Sequence, residues 1–205
     1  MTERRYARRT GGSGTDSTSR APGTRERPRA ADEQDPAARA RDICYRLLAL
    51  RDHTRLELEQ ALLRREIPED VAQAVLGKFD KAGLINDEAF AESWVEARHR
   101  HRGLGRRAIA QELRRKGVDD TTAAEALAAV DAEAEESRAH DLVRRKLGGT
   151  RGQDPQVRLR RLVAMLARRG YAEGLAFRVV RSELENEGID ADVDADTPGW
   201  SADLD

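Results

Sequence analysis

The sequence predicts an all-α protein, an elongated tandem array of three three-helix repeat units, and three observations carry that reading. One pattern of apolar and basic residues occurs three times, as Leu58-x3-Leu62-x-Arg64-Arg65-Glu66-Ile67, Ile109-x3-Leu113-x-Arg115-Lys116-Gly117-Val118 and Leu162-x3-Leu166-x-Arg168-Arg169-Gly170-Tyr171. A period near fifty residues is that of helical modules that stack on their neighbours. Apolar residues recur at spacings of three and four, and nothing alternates with period two for long enough to make a strand. Composition agrees: 39% of the 205 residues are hydrophobic, 4% aromatic and 37% charged. That suits several small cores better than one large one.

Residues 1–36 mix Gly, Ser, Thr, Pro and arginine with almost no apolar side chains. Burial cannot offset the entropy of ordering them, so they read as a disordered arm. The first unit, 37–85, opens with Ile43, Leu47 and Leu50 on one helical stripe, widened by Cys44 and Leu48. Thr54-x-x-Glu57 is a capping box for the second helix, whose inner face holds Leu58, Leu62 and Leu63. Pro68, at the first helical position, with Glu69 and Asp70 in the first turn, starts the third, and Gly83 stops it. In the second unit, 86–132, Asn86 caps a helix running through Phe90, Trp94 and Val95 to about Arg102, and Gly103 and Gly105 make the turn. Ile109 and Leu113 line the next helix, Gly117 ends it, and Asp119 or Asp120 caps an alanine-rich helix carrying Leu127 and Val130. The third unit, 133–188, has Leu142 and Leu147, a Gly148-Gly149 break, then Asp154-Pro155 opening a helix of Leu159, Leu162, Val163 and Leu166. Its last helix carries Leu175, Val179, Val180 and Leu184. Acids crowd the stretch after Glu183 with no base among them, and 189–205 reads as an acidic disordered tail in which Trp200 and Leu204 are incidental.

A net charge of −1 hides alternating blocks. From Arg98 to Lys116 eight basic residues face one acid, Glu112; from Asp119 to Glu136 there are seven acids and no base; Arg138 to Arg169 turns basic again. Such local fields attract a polyanion whatever the total charge. The candidate binding residues are Arg98, Arg102, Arg106, Arg107, Arg114, Arg115 and Lys116, with Arg144, Arg145, Arg168 and Arg169 as a second group. The competing reading is solvated helix faces paired at i,i+4.

Signals for chemistry are weak. His99 and His101, two apart on a helix, point about 200° away from one another and cannot readily grip one ion. His53 and His140 stand in no arrangement that argues for acid-base or nucleophilic work. Gly103-x-Gly105 lacks the strand, third glycine and lysine of a phosphate loop. Trp94, at core spacing with Phe90 and Val95, reads as a core residue rather than a platform for a base. The lone Cys44 belongs to an apolar stripe and can form no internal disulfide. No apolar run approaches the length of a membrane span, and the arginines at the N-terminus precede no apolar segment of a secretory signal, so the cytoplasm is the default location. The chain is therefore expected to be non-enzymatic, without metal or cofactor.

Leu50-Arg51-x2-Thr54-x2-Glu57-Leu58, followed by Ala82-Gly83-Leu84-Ile85-Asn86-Asp87-x2-Phe90-Ala91, resembles the first unit of RecX regulatory proteins and its junction with the second. Gly103, Gly105, Ala108-Ile109, Leu113 and Lys116-Gly117-Val118 resemble their central signature, and Lys146-Leu147 with Leu166-x-Arg168-Arg169-Gly170-Tyr171 their third unit. The likeness covers about Asp42 to Glu187. It departs from the family pattern at Arg65-Glu66, where a lysine-glycine pair is common. The resemblance implies a modulator that binds the RecA recombinase and its filament on single-stranded DNA, with or without direct contact to DNA phosphates, and restrains ATP hydrolysis and strand exchange; with no heptad seam sustained over three repeats, the chain is expected to be a monomer. Two other classes fit the residues: a stand-alone nucleic-acid-binding module such as a transcriptional regulator, and a structural helical adaptor.

Overall fold

The computed structural model describes residues 35–189. The arm expected over 1–36, apart from Asp35 and Pro36, and the tail expected over 189–205, apart from Ile189, lie outside them, as do Trp200 and Leu204. Asp35 and Pro36 open the first helix rather than end an arm: the Asp35 side chain accepts from the Ala37 N–H, and Pro36 takes the first helical position.

Three helix triplets follow one another: α1 (Pro36–Leu48), α2 (Arg55–Leu63) and α3 (Glu69–Lys81); α4 (Asp87–Ala97), α5 (Arg106–Arg115) and α6 (Asp120–Leu127); α7 (Ala132–Leu147), α8 (Pro155–Ala167) and α9 (Glu173–Asn186). A π-helical turn, Arg98–Arg102, extends α4, and a 3-10 turn, Gly148–Thr150, follows α7. Among the described residues there is no strand. Side chains of Thr54, Asn86, Asp119, Asp131 and Asp154 accept from otherwise orphaned N–H groups and set where five of the helices begin. Pro68 stands one residue earlier than expected, just before α3 rather than within it.

Each triplet buries its own core. Leu58, Leu62, Leu76 and Phe79 centre the first, around a fully buried Cys44 whose thiol burial pushes up to about 11. Phe90, Val95, Ile109 and Leu113 centre the second, and Leu159, Leu162, Leu166, Val180 and Leu184 the third. Two expected core residues are absent from these sets. Leu50 is 82% exposed because α1 stops at Leu48, and Leu63 lies on the outer side of α2.

The three middle helices end in one turn geometry. The amide of Ile67, Val118 or Tyr171 returns to the carbonyl of Leu62, Leu113 or Leu166, five residues back. The residue before it is left-handed in every copy: Glu66 at φ 60°, Gly117 at 82° and Gly170 at 84°. Packing explains why only the last two are glycine. A Cβ on Gly117 would press into the Leu56 side chain of the first triplet, and one on Gly170 into the backbone of Ala108 in the second. These two turns are where one triplet rests on the preceding one. Glu66 belongs to the first triplet and bears only the backbone cost of a left-handed residue, about 1–2 kcal/mol.

Candidate partner-binding surface

The junction between first and second triplets uses charges the sequence offered as binding groups. Thr54 caps α2 as expected, but the capping box does not close: the Glu57 carboxylate turns instead to Lys116 Nζ at 2.6 Å and Arg51 Nη1 at 3.0 Å. Thr54 Oγ1 also donates to the Lys116 carbonyl at 2.6 Å. Burial pushes Glu57 upward, but the hydrogen bonds and charges of Arg51 and Lys116 outweigh it and hold the carboxyl below its usual 4.5. Beside this pair, Asp87 accepts from the Arg55 amide at 3.0 Å. Burial, helped by neighbouring Asp80, raises the Asp87 carboxyl.

Trp94 is half-buried rather than enclosed. Its ring stacks on Phe90 at 5.3 Å and lies under Arg98 at 3.7 Å and Lys116 at 4.2 Å, while Nε1 donates to Glu112 at 2.8 Å. Arg98 binds the same Glu112 oxygen at 2.7 Å. Arg98 and Lys116 are thus both paired and stacked, each with a side chain 19% exposed.

The other candidates divide. Arg114 pairs with Asp120 at 3.0 Å and Arg144 with Glu183 at 2.9 Å, yet both stay open to solvent, at 69% and 60%. Arg102, Arg107, Arg115, Arg145 and Arg168 are exposed and make no ion pair among the described residues. Arg106 is half-buried, its amide held by Glu135 at 2.9 Å. Arg169 reaches back to the second triplet, where Nη1 donates to the Arg102 carbonyl at 3.1 Å.

That contact belongs to the second junction, where the two glycines of the Gly103 turn have their use. Gly105 donates its N–H to the Arg169 carbonyl at 2.8 Å, and a Cβ there would stand 2.7 Å from the Gly170 carbonyl carbon. Tyr171 Oη donates to the Gly103 carbonyl at 3.3 Å, and burial pushes that phenol up to about 12. Beside the junction lies a cleft of about 350 Å3, lined by His101, Arg102, Arg138, Arg145, Lys146 and Arg169 around Leu142 and Met165. Arg102, Arg145 and Arg169, candidates from two separate basic runs, meet here. Arg138 and Lys146 complete the group. Their place in a basic stretch was visible in the sequence, but their convergence with Arg102 was not, since it depends on how the third triplet docks.

Several charged groups turned out to serve the third core. Glu183 is buried against His140 Nδ1 at 2.6 Å and Arg144 at 2.9 Å. Glu187 accepts from Arg158 and Arg151, which together hold its carboxyl below the usual range. Arg158 itself is buried and also bonds Thr150 Oγ1 and the Leu147 carbonyl. No spacing signal marked that arginine as a core residue. His99 Nδ1 lies 3.1 Å from the Leu104 carbonyl, and no group of three or more potential metal ligands occurs among the described residues.

No described helix is long and apolar enough to cross a membrane. Family models for the first, second and third three-helix domains of RecX match residues 40–79, 86–127 and 133–180. A regulatory protein RecX from Streptomyces coelicolor is 55% identical over 159 residues, covering 78% of this chain and 85% of that one. One from Thermobifida fusca is 52% identical over 162 residues, covering 79% and 88%. The crystal structure of RecX from Lactobacillus salivarius superposes with a TM-score of 0.68 at 22% identity, over 74% of this chain and 98% of that one, which shows a shared fold.

Proposed function

The chain belongs to the RecX regulatory protein family, and from that premise we propose that it is a non-catalytic modulator of the RecA recombinase. It binds the recombinase filament on single-stranded DNA as a monomer and restrains ATP hydrolysis and strand exchange, so that it tunes recombination and repair. The observation that supports this reading best is the set of exposed arginines that make no ion pair among the described residues, Arg102, Arg107, Arg115, Arg145 and Arg168, carried on two successive triplets. Cations left unpaired on rigid helices keep their charge available for DNA phosphate or an acidic protein surface. A single helix such as α7, with 16 residues, already spans about 24 Å. Successive triplets carry such cations on different helices, which suits a partner that presents a repeated surface.

The test is DNA-stimulated ATP hydrolysis by the cognate recombinase under titration with this protein and with a full-length R102E/R107E/R115E/R145E variant. Wild type should suppress hydrolysis in a dose-dependent manner, and the variant, its fold checked by circular dichroism, should lose most of that effect. Unchanged hydrolysis alongside tight binding to an oligonucleotide alone would instead favour an independent nucleic-acid-binding module.

A further inference from the structure

The cleft at the second junction concentrates five cationic side chains, Arg102, Arg138, Arg145, Lys146 and Arg169, with no carboxylate in its lining. The nearest acid on the same helix, Asp141, is 4.0 Å from Arg138 Nη1. Arg138 Nη2 donates to the Arg100 carbonyl, but its buried Nε has no hydrogen-bond partner. Buried donors are ordinarily satisfied, and clustered like charges repel, so the cleft is suited to an anion with several carboxylates or phosphates.

Such a segment is attached to the same chain. Residues 190–205 carry Asp190, Asp192, Asp194, Asp196, Asp203 and Asp205 and no basic residue. The first four alternate with Ala191, Val193 and Ala195. In an extended chain alternate side chains share one face about 6.6 Å apart, so four carboxylates would form a row about 20 Å long. The segment starts at the end of α7 that carries Lys146. Glu187 is bonded by Arg158, whose Nη2 lies 3.4 Å from the carbonyl of Leu147, the residue after Lys146. Asp190 follows three residues later.

We propose that the acidic segment 190–205 folds back in cis onto the basic cleft between the second and third triplets, and that an incoming polyanion must displace it. Covalent attachment to the same chain holds such a ligand at about millimolar effective concentration, so even weak electrostatic binding fills the cleft. The contact stands by itself, whereas the competition rests on the reading of the arginine surface given above.

Zero-length carbodiimide coupling of the full chain, followed by peptide mass spectrometry, tests the contact. Lys146 is the one lysine lining the cleft, and Lys116–Glu57, at 2.6 Å, provides an internal positive control. Lys146 should become joined to an aspartate of 190–196 in the monomer band. The product should vanish at about 1 M salt, where the screening length is about 3 Å, and in the full-length D190N/D192N/D194N/D196N variant. Formation of the Lys116–Glu57 product without any Lys146 product overturns the proposal. So does a Lys146 product confined to the dimer band, which would make a second copy the occupant.

The competition is read by anisotropy of a labelled oligothymidylate. If the segment fills about nine clefts in ten, the four-asparagine variant should bind about tenfold more tightly. An E88Q/E92Q/E125Q/E133Q variant, with the same change in net charge elsewhere, should not. Equal affinities for the two variants overturn the competition while the cross-link result stands. Neither readout contains the recombinase, so failure of the modulator reading would appear separately, in the hydrolysis assay.

Discussion

Gly170→Ala is the sharpest probe of how the triplets are joined. A methyl there would lie 2.8 Å from Ala108 Cα and closer still to its amide nitrogen and Cβ, and these are largely backbone atoms of the preceding triplet that cannot rotate away. Forcing a residue with a side chain into φ 84° costs about 1–2 kcal/mol. Overpacking adds about 1–3 kcal/mol, and the stiffer unfolded chain returns about 0.4–1 kcal/mol. The net is a loss of about 3 kcal/mol, or a fall in Tm of about 6–12 °C for a protein of this size. Gly83→Ala isolates the backbone part, because Gly83 is also left-handed at φ 68° but a methyl added there would meet nothing within 4 Å. It should cost only about 1 kcal/mol. Urea and thermal unfolding by circular dichroism give both values. Equal losses at the two positions would mean that the junction has slack and that the reason offered for glycine at 170, and for glutamate at 66, is wrong.

Two further outcomes follow from the first junction. Trp94→Ala removes the Phe90 stack and the surface under Arg98 and Lys116, so it should cost about 3 kcal/mol, while Trp94→Phe, which loses chiefly the bond to Glu112, should cost about 1 kcal/mol; urea unfolding in which alanine costs under about 1 kcal/mol would show the ring to be dispensable. Glu57 has a lowered folded pKa, so its contribution is present above its ordinary value of 4.5 and lost as pH falls through the lower folded value. Unfolding free energy of Glu57→Gln should therefore change less than wild type between pH 6 and 3, roughly the window of carboxylate titration; Asp87, raised and of opposite sign, is common to both proteins and drops out of the difference. Parallel pH profiles would refute the pairing.

Much of the local structure was legible because it is set by neighbours in the chain. Asn86, Asp119 and Asp154 bond amides two or three residues on, so their helix starts could be read directly. The threefold pattern around Leu58, Ile109 and Leu162 announced three like units because each middle helix buries those same residues. Side-chain fates decided by distant segments were not legible. Spacing placed Leu50 on an apolar stripe, but the helix ends before it. Arg98, Lys116 and Arg102 read as equal members of one basic run. Only docking of Trp94 and Glu57 against two of them, and of the third triplet against the other, separates structural pairs from available charge.

The sequence by itself determined the order of the helices, the caps at Thr54, Asn86, Asp119 and Asp154, most of the three small cores and the basic and acidic blocks, since periodicity, caps and charge are properties of residues a few positions apart. Only the tertiary structure decided which glycines are required, which arginines are committed, and that Arg102, Arg138, Arg145, Lys146 and Arg169 share one cleft. Those outcomes depend on contacts between residues up to 68 positions apart, such as Tyr171 with Gly103. Their pairing follows from how one triplet packs on the next.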